Sequence, residues 1–215
     1  MTRAPHARHS RRRRLSAAAL TAAALTTLTA TAPASAAPLA PPAHTRTAGG
    51  TAAAPSAANR LGIAMQAQEN SNWCWAGSGD TIAAWYGRNY SQNQFCNAAF
   101  RRPQGTPCPN DQATLANVQD AFGWMGINSG SYVSSWLGYD TVRSEIDAGR
   151  PMETRIQWSS GGGHMHVIYG YDTERNWVYW GDSWATNNRY NWGDFDYYVN
   201  GSSFSWTHSL YRIGA

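Results

Sequence analysis

A single cysteine stands at the head of the most helix-like run in the chain, and that placement constrains everything else. The run Cys74-Trp75-Ala76-Gly77-Ser78-Gly79-Asp80-Thr81-Ile82-Ala83-Ala84-Trp85-Tyr86 ends at Gly87. Ala76, Ile82, Ala83, Ala84, Trp85 and Tyr86 favour or tolerate helix and supply an apolar side. Gly87 is a natural stop, because glycine accepts the left-handed backbone that closes a helix. The pattern therefore predicts a helix with Cys74 in its first turn. The positive end of a helix dipole favours thiolate over thiol, and the thiolate is the nucleophilic form. Gln68 lies six residues upstream, in a polar segment that can fold back beside the thiol and present its side-chain amide.

The amino-terminal residues belong to export rather than to a fold. Residues 1 to 14 carry six arginines, Leu15 to about Ala32 is an Ala/Leu/Thr run, and Ala34-Ser35-Ala36 follows. A charged region, an apolar region and an A-x-A site make a secretion signal, spanning residues 1–36. The competing reading is a membrane anchor, disfavoured because the run is rich in Ala and Thr and passes into a Pro/Ala-rich tail. Ser10-Arg11-Arg12 is too degenerate to choose an export route. Residues 37–59 lack apolar periodicity and read as a flexible linker or short pro-segment. Residues 60–215 remain, enough for one domain with a real core.

Export changes the meaning of the charge. Without the leader's six arginines, 11 remain against 13 acids, a formal charge near −2. The basic character is a property of the leader. It gives no support to nucleic-acid binding or to stable membrane association of the mature chain.

Three cysteines meet an oxidising compartment, where an odd one needs a reason. Cys96 and Cys108 enclose a short loop and are expected to pair, leaving Cys74 free. A bridge from Cys74 to one of the others is the alternative, and it would waste the helix-start placement.

Further along, helices are expected over 110–122, with Asn110 or Asp111 as cap and Gly123 as stop, and over 140–148, closed by Gly149 and Pro151. Strands are expected over 152–158, 164–169, 177–180, 195–199 and 205–213, with Ser159 to Gly163 as a turn. Helices first and sheet second give an α+β fold with segregated layers.

A nucleophilic cysteine needs a base, a group that orients the base, and donors for an oxyanion. His164 begins a strand after a glycine turn, and Asp182 follows the next strand in Trp180-Gly-Asp-Ser-Trp184. Antiparallel pairing of the two strands brings Asp182 close to His164. Gln68 and the Cys74 N–H complete the set. His166 lies two residues on, along the same face, and is the competing base; its position deeper in the strand suits a core or supporting role. His208 has no partner motif, and Asp172 and Asp194 read as turn residues. Trp184 fits either a shield over the His–Asp pair or simple packing, and Trp75 a core anchor. His164-x-His166 is a weak metal signal, so no metal or cofactor is expected.

This order and spacing resemble the papain-like cysteine peptidases, in particular compact bacterial secreted and effector forms. The resemblance rests on Gln68 six residues before Cys74-Trp75, on His164 opening a strand six residues before Gly170, and on Asp182-Ser183-Trp184 after the next strand. It covers roughly residues 60–190. Asp182 stands where papain has Asn; an Asp also orients imidazole and adds charge that favours the imidazolium. The resemblance implies a helical part carrying Cys74 packed on an antiparallel sheet or half-barrel. It implies hydrolysis of protein or peptide substrates by a secreted monomer. A glutamine-directed acyl transferase or deamidase on the same machinery, and a non-catalytic secreted binding module, are the alternatives.

Overall fold

The computed structural model describes residues 57–215; the expected leader and most of the expected linker lie outside the described residues. Chain order is β1 (Ala58–Arg60), α1 (Cys74–Trp85), α2 (Gln92–Ala99), α3 (Leu115–Trp124), β2 (Ser131–Val133) and α4 (Tyr139–Asp147). Then follow β3 (Met152–Trp158), β4 (Gly163–Asp172), β5 (Trp177–Asp182), β6 (Tyr190–Asp194), α5 (Phe195–Asn200) and β7 (Phe204–Tyr211). Most of the helix precedes most of the sheet, as an α+β fold requires. Among the described residues no helix is long and apolar enough to cross a membrane.

One antiparallel sheet runs β2-β7-β3-β4-β5-β6, with β1 paired to β4. β4 is central and almost wholly buried. Its partner β3 starts at Met152 opposite Ile168, and β1 takes up the pairing from Gly170 to Asp172. β4 therefore continues past Gly170 instead of ending there. Ala58 and Asn59, read from sequence as linker, are part of the sheet.

Two cores lie on opposite faces of this sheet. On one, Met165, Val167 and Tyr169 pack with Trp75, Ile82, Phe95 and Phe122 of the helical layer. On the other, Ile156, Ile168 and Tyr171 pack with Val142 and Ile146 of α4 and Tyr198 of α5. Alternation along β3 and β4 sends neighbouring residues to opposite cores.

Three local readings differ from the sequence expectation. Thr114, not Asn110 or Asp111, caps α3: it accepts from Asn117 N while the Asn117 side chain returns to it. α2 occupies part of the span read as a disulfide loop, and Ser91 with Gln94 forms its capping box. Residues 195–199, read as strand from their aromatic and β-branched content, are helix α5, because Asp194 accepts from Tyr197 N.

The helix α1 is buried from Trp75 to Ala83, and one glycine explains how the site closes over it. A Cβ at Gly77 would lie 3.0 Å from Ser183 Cβ and 3.3 Å from the Gln68 backbone. Its absence lets the segments on either side of the cleft meet, with Gln68 N donating to Ser183 O at 2.7 Å.

Candidate active site

Cys74 is the first residue of α1, half-buried and free of any disulfide. Its position is fixed from outside the helix. Asn72 N donates to Asn110 Oδ1 at 2.9 Å and Asn72 Nδ2 to Asn110 O at 2.8 Å. The indoles of Trp73 and Trp75 donate to Pro109 O and Asp111 O, each at 3.1 Å. The next residue back, Cys108, is bonded to Cys96. The expected disulfide is present, and it anchors the segment to which the cysteine loop is sewn.

Across a cleft of about 330 Å³, lined by both Cys74 and His164, stands the first residue after Gly163 of β4. His164 Nε2 lies 2.7 Å from Asp182 Oδ1, at the end of β5. Burial pushes the His164 imidazole down, but hydrogen bonding and charge from Asp182 and from Cys74 outweigh it and lift the ring to about 9. With Nε2 taken by Asp182, the nitrogen left for the thiol is Nδ1. Asp182 also accepts from Trp184 N and Asn187 Nδ2, each at 2.8 Å. Burial alone pushes its carboxyl up; the hydrogen bond with His164, aided by the nearby His166, reverses that and holds it well below the usual carboxylate range.

Two indoles enclose the imidazole. Trp158 stacks on it at 6.1 Å between centroids and 22° between planes, and Trp184 meets it edge-on at 5.9 Å. Trp184 thus sits against the His–Asp pair, and Trp158, at the end of β3, is its counterpart on the other side.

His166 lies behind the pair. Its Nδ1 is 3.3 Å from Tyr198 Oη, and its Nε2 is 3.7 Å from Asp182 Oδ2 with no hydrogen-bond partner. It is fully buried, and burial, then the nearby His164, lower its basicity despite Asp182. His164, His166 and Asp182 bring ligand-type atoms within 4.8 Å of one another, a donor set that could hold a metal ion. The Asp182 oxygens are already engaged by His164, Trp184 and Asn187.

Gln68 lies against the loop before Cys74, with its amide already engaged. Its Nε2 donates to Asn70 O at 2.8 Å and Ser71 O at 2.9 Å, so both amide hydrogens hold the turn before Cys74. Ser183 Oγ donates to Cys74 O at 3.3 Å and tethers the residue after Asp182 to the cysteine helix. Trp158, Asn187, Asn110 and Ser183 carry no sequence signal of these roles; only tertiary packing brings them to the site.

A free thiol at a helix start, an imidazole lining the same cleft and a carboxylate bonded to that imidazole define a cysteine peptidase of papain-like architecture. The sequence family described as the papain-like cysteine protease AvrRpt2 matches residues 56–200, and the chain belongs to it. The peptidase domain of Streptococcus ComA, a bifunctional ABC transporter involved in a quorum-sensing pathway, shares the fold. It aligns at TM-score 0.51 and 14% identity over 69% of this chain and 96% of that one. A double-glycine-motif protease from an AMS/PCAT transporter, solved with a leader peptide, aligns at 0.48 and 15% identity, covering 73% and 95%. Xylellain, a cysteine protease from Xylella fastidiosa, aligns at 0.44 and 12% identity, covering 74% and 87%. No curated protein sequence matches the chain.

Proposed function

We propose that the chain is exported, acts as a monomer outside the cell, and hydrolyses peptide bonds of protein or peptide substrates through an acyl-enzyme on Cys74. One observation carries the mechanism: the 2.7 Å bond from His164 to Asp182, on a ring whose proton affinity is also raised by Cys74 at the head of α1. A ring lifted to about 9 is protonated at neutral pH and pairs with a thiolate. The Cys96–Cys108 bond supports export, because such bonds persist in oxidising compartments.

The thiolate attacks the substrate carbonyl carbon, and the new S–C bond pushes an electron pair onto oxygen. That oxyanion lies at the start of α1, where the Cys74 N–H has no partner within the helix. Gln68 is the second donor. It reaches the oxyanion by releasing one of the carbonyls it holds, an exchange favoured only once negative charge has developed. His164 then protonates the leaving amine as the C–N bond breaks. Water, losing its proton to His164, attacks the thioester and frees the acid and the thiolate. Asp182 keeps the ring in register throughout.

The test is product analysis on casein with the purified mature chain. New amino termini are expected, lost in Cys74→Ala and after alkylation of Cys74. Cleavage by Cys74→Ala removes the assignment. Ammonia release without new termini replaces peptide hydrolysis by glutamine-directed chemistry.

A further inference from the structure

One cation in the cleft has no counter-charge. Arg155 sits on β3 opposite Met165 and lines the same cleft as Cys74 and His164. Its guanidinium lies against Gly163, next to His164: a Cβ there would come 2.6 Å from Nη2 and 2.9 Å from Cζ. The missing side chain is what admits the cation to the cleft.

Two neutral acceptors fix the guanidinium. Nη1 donates to Thr207 Oγ1 at 3.0 Å and Nη2 to Gln157 Oε1 at 3.1 Å. Among the described residues Arg101, Arg143, Arg150 and Arg175 each meet a carboxylate, and Arg155 meets none within ion-pair distance. Among the described residues, no acidic one lines the cleft. Glu153, two residues along the same face of β3, is buried and pushed toward its neutral form, first by burial. A second hollow of about 370 Å³ shares Arg155 and Ala113 with the first and extends it toward Tyr132 and His208. His208 is itself driven toward its neutral form, by burial and then by Arg155.

A guanidinium has five N–H donors in a fixed fork, and two acceptors leave donors over for a carboxylate. A half-buried cation in a cleft is screened less than one in open water, so the pairing retains its strength. We infer that Arg155 is a specificity residue: it selects substrates with an aspartate or glutamate side chain within a few residues of the bond cut at Cys74. This rests on the peptidase mechanism proposed above and adds the substrate class.

The test uses the mature enzyme and peptides blocked at both ends, so that a side chain supplies any carboxylate. A scanning set places Glu, Gln or Lys at each position around the cut, and mass spectrometry maps the cut. At one position, kcat/KM for Glu is expected to exceed that for Gln about tenfold, the lower end of what one charge-assisted hydrogen bond delivers. The ratio should fall as salt rises, fall to about one in Arg155→Gln, and be partly kept in Arg155→Lys. In Arg155→Glu the preference should invert toward Lys. Wild-type cleavage that ignores Glu against Gln at every position overturns the inference and leaves the peptidase reading standing. So does a preference that persists in Arg155→Gln. Absence of any Cys74-dependent cleavage overturns both. A second set with free carboxyl termini separates the sources: a preference confined to it overturns side-chain selection.

Discussion

Two carboxyl groups are buried on opposite faces of the same sheet, and the protein treats them in opposite ways. Asp182 pairs in register with His166, which pairs with Thr154; Glu153, one residue away on β3, pairs with Val167 and so faces the other core. Asp182 accepts from an imidazole, a backbone N–H and an amide, and is held ionised. Glu153 has no hydrogen-bond partner at either oxygen, and burial, then the neighbouring Cys74, drive it toward the neutral acid. The lesson is that depth does not decide ionisation here; the supply of donors does. Both groups are buried, and only the one with donors can orient a cation.

The sharpest way to break that contrast is Asp182→Ala. We expect kcat/KM to fall roughly 10²- to 10⁴-fold, as for other bases that lose their orienting acid. The imidazolium is the working form, so activity should disappear as pH rises through about 9 in the wild type. Without Asp182 the opposing effect of burial prevails, and the alkaline limb should move to lower pH. An unmoved limb would show that the carboxylate does not hold the ring's proton.

Asp80 offers a third buried acid, inside α1 with Oδ1 unpartnered. Burial, opposed by Gln66 and aided by Glu69, brings it up to about 7 from 3.8. The native state then binds more protons than the unfolded state between those values. Stability should fall as pH rises across that window and level off above it. Asp80→Asn should gain roughly 2–4 kcal/mol over wild type at pH 8 and much less at pH 4, read from urea midpoints. An equal difference at both pH values would exclude titration as the cause.

Asn187→Ala removes one donor from Asp182 and leaves two. A loss of about 1.5 kcal/mol, near tenfold in kcat/KM, is expected, with the pH profile shifted in the same direction as for Asp182→Ala. A variant indistinguishable from wild type would mean that Asp182 needs only His164 and Trp184.

The smallest effect belongs to Glu153→Gln. The glutamine mimics the neutral acid, so stability at pH 4, where the folded and unfolded carboxyl are both largely protonated, should change by no more than about 0.5 kcal/mol. The native pKa is raised well above 4.5, so the unfolded wild type sheds its proton first and wild-type stability falls as pH rises above about 4.5, while the variant's does not; the variant should overtake it in Tm over that window. A variant less stable than the wild type at pH 7 would reveal a charged Glu153 with a partner.

Much of the frame is readable from local pattern. Met152–Trp158 coincides with the strand expected there, and the cysteine helix starts and stops as its apolar run and Gly87 suggest. The chain order of Gln68, Cys74, His164 and Asp182 pointed to the family, and the fold brings the last three together. What escaped was decided by single caps or by distance in sequence. Ser91 and Gln94 carried an unread capping box, and Asp194 turned an aromatic run into a helix. β6, with Asn191 and Gly193, has little strand propensity and forms because β5 is there to pair with. The Trp158 shield and the clamp of Gln68 on two carbonyls depend on packing that no spacing encodes.

The tie from Ser183 to both Gln68 and Cys74 has a practical outcome. It spans the seam between the helical layer and the strand ends, so the nucleophile and its base keep their alignment only while that seam stays shut. Catalysis should consequently be the first property to fade on gentle warming, ahead of any change in far-ultraviolet dichroism, and to return on cooling.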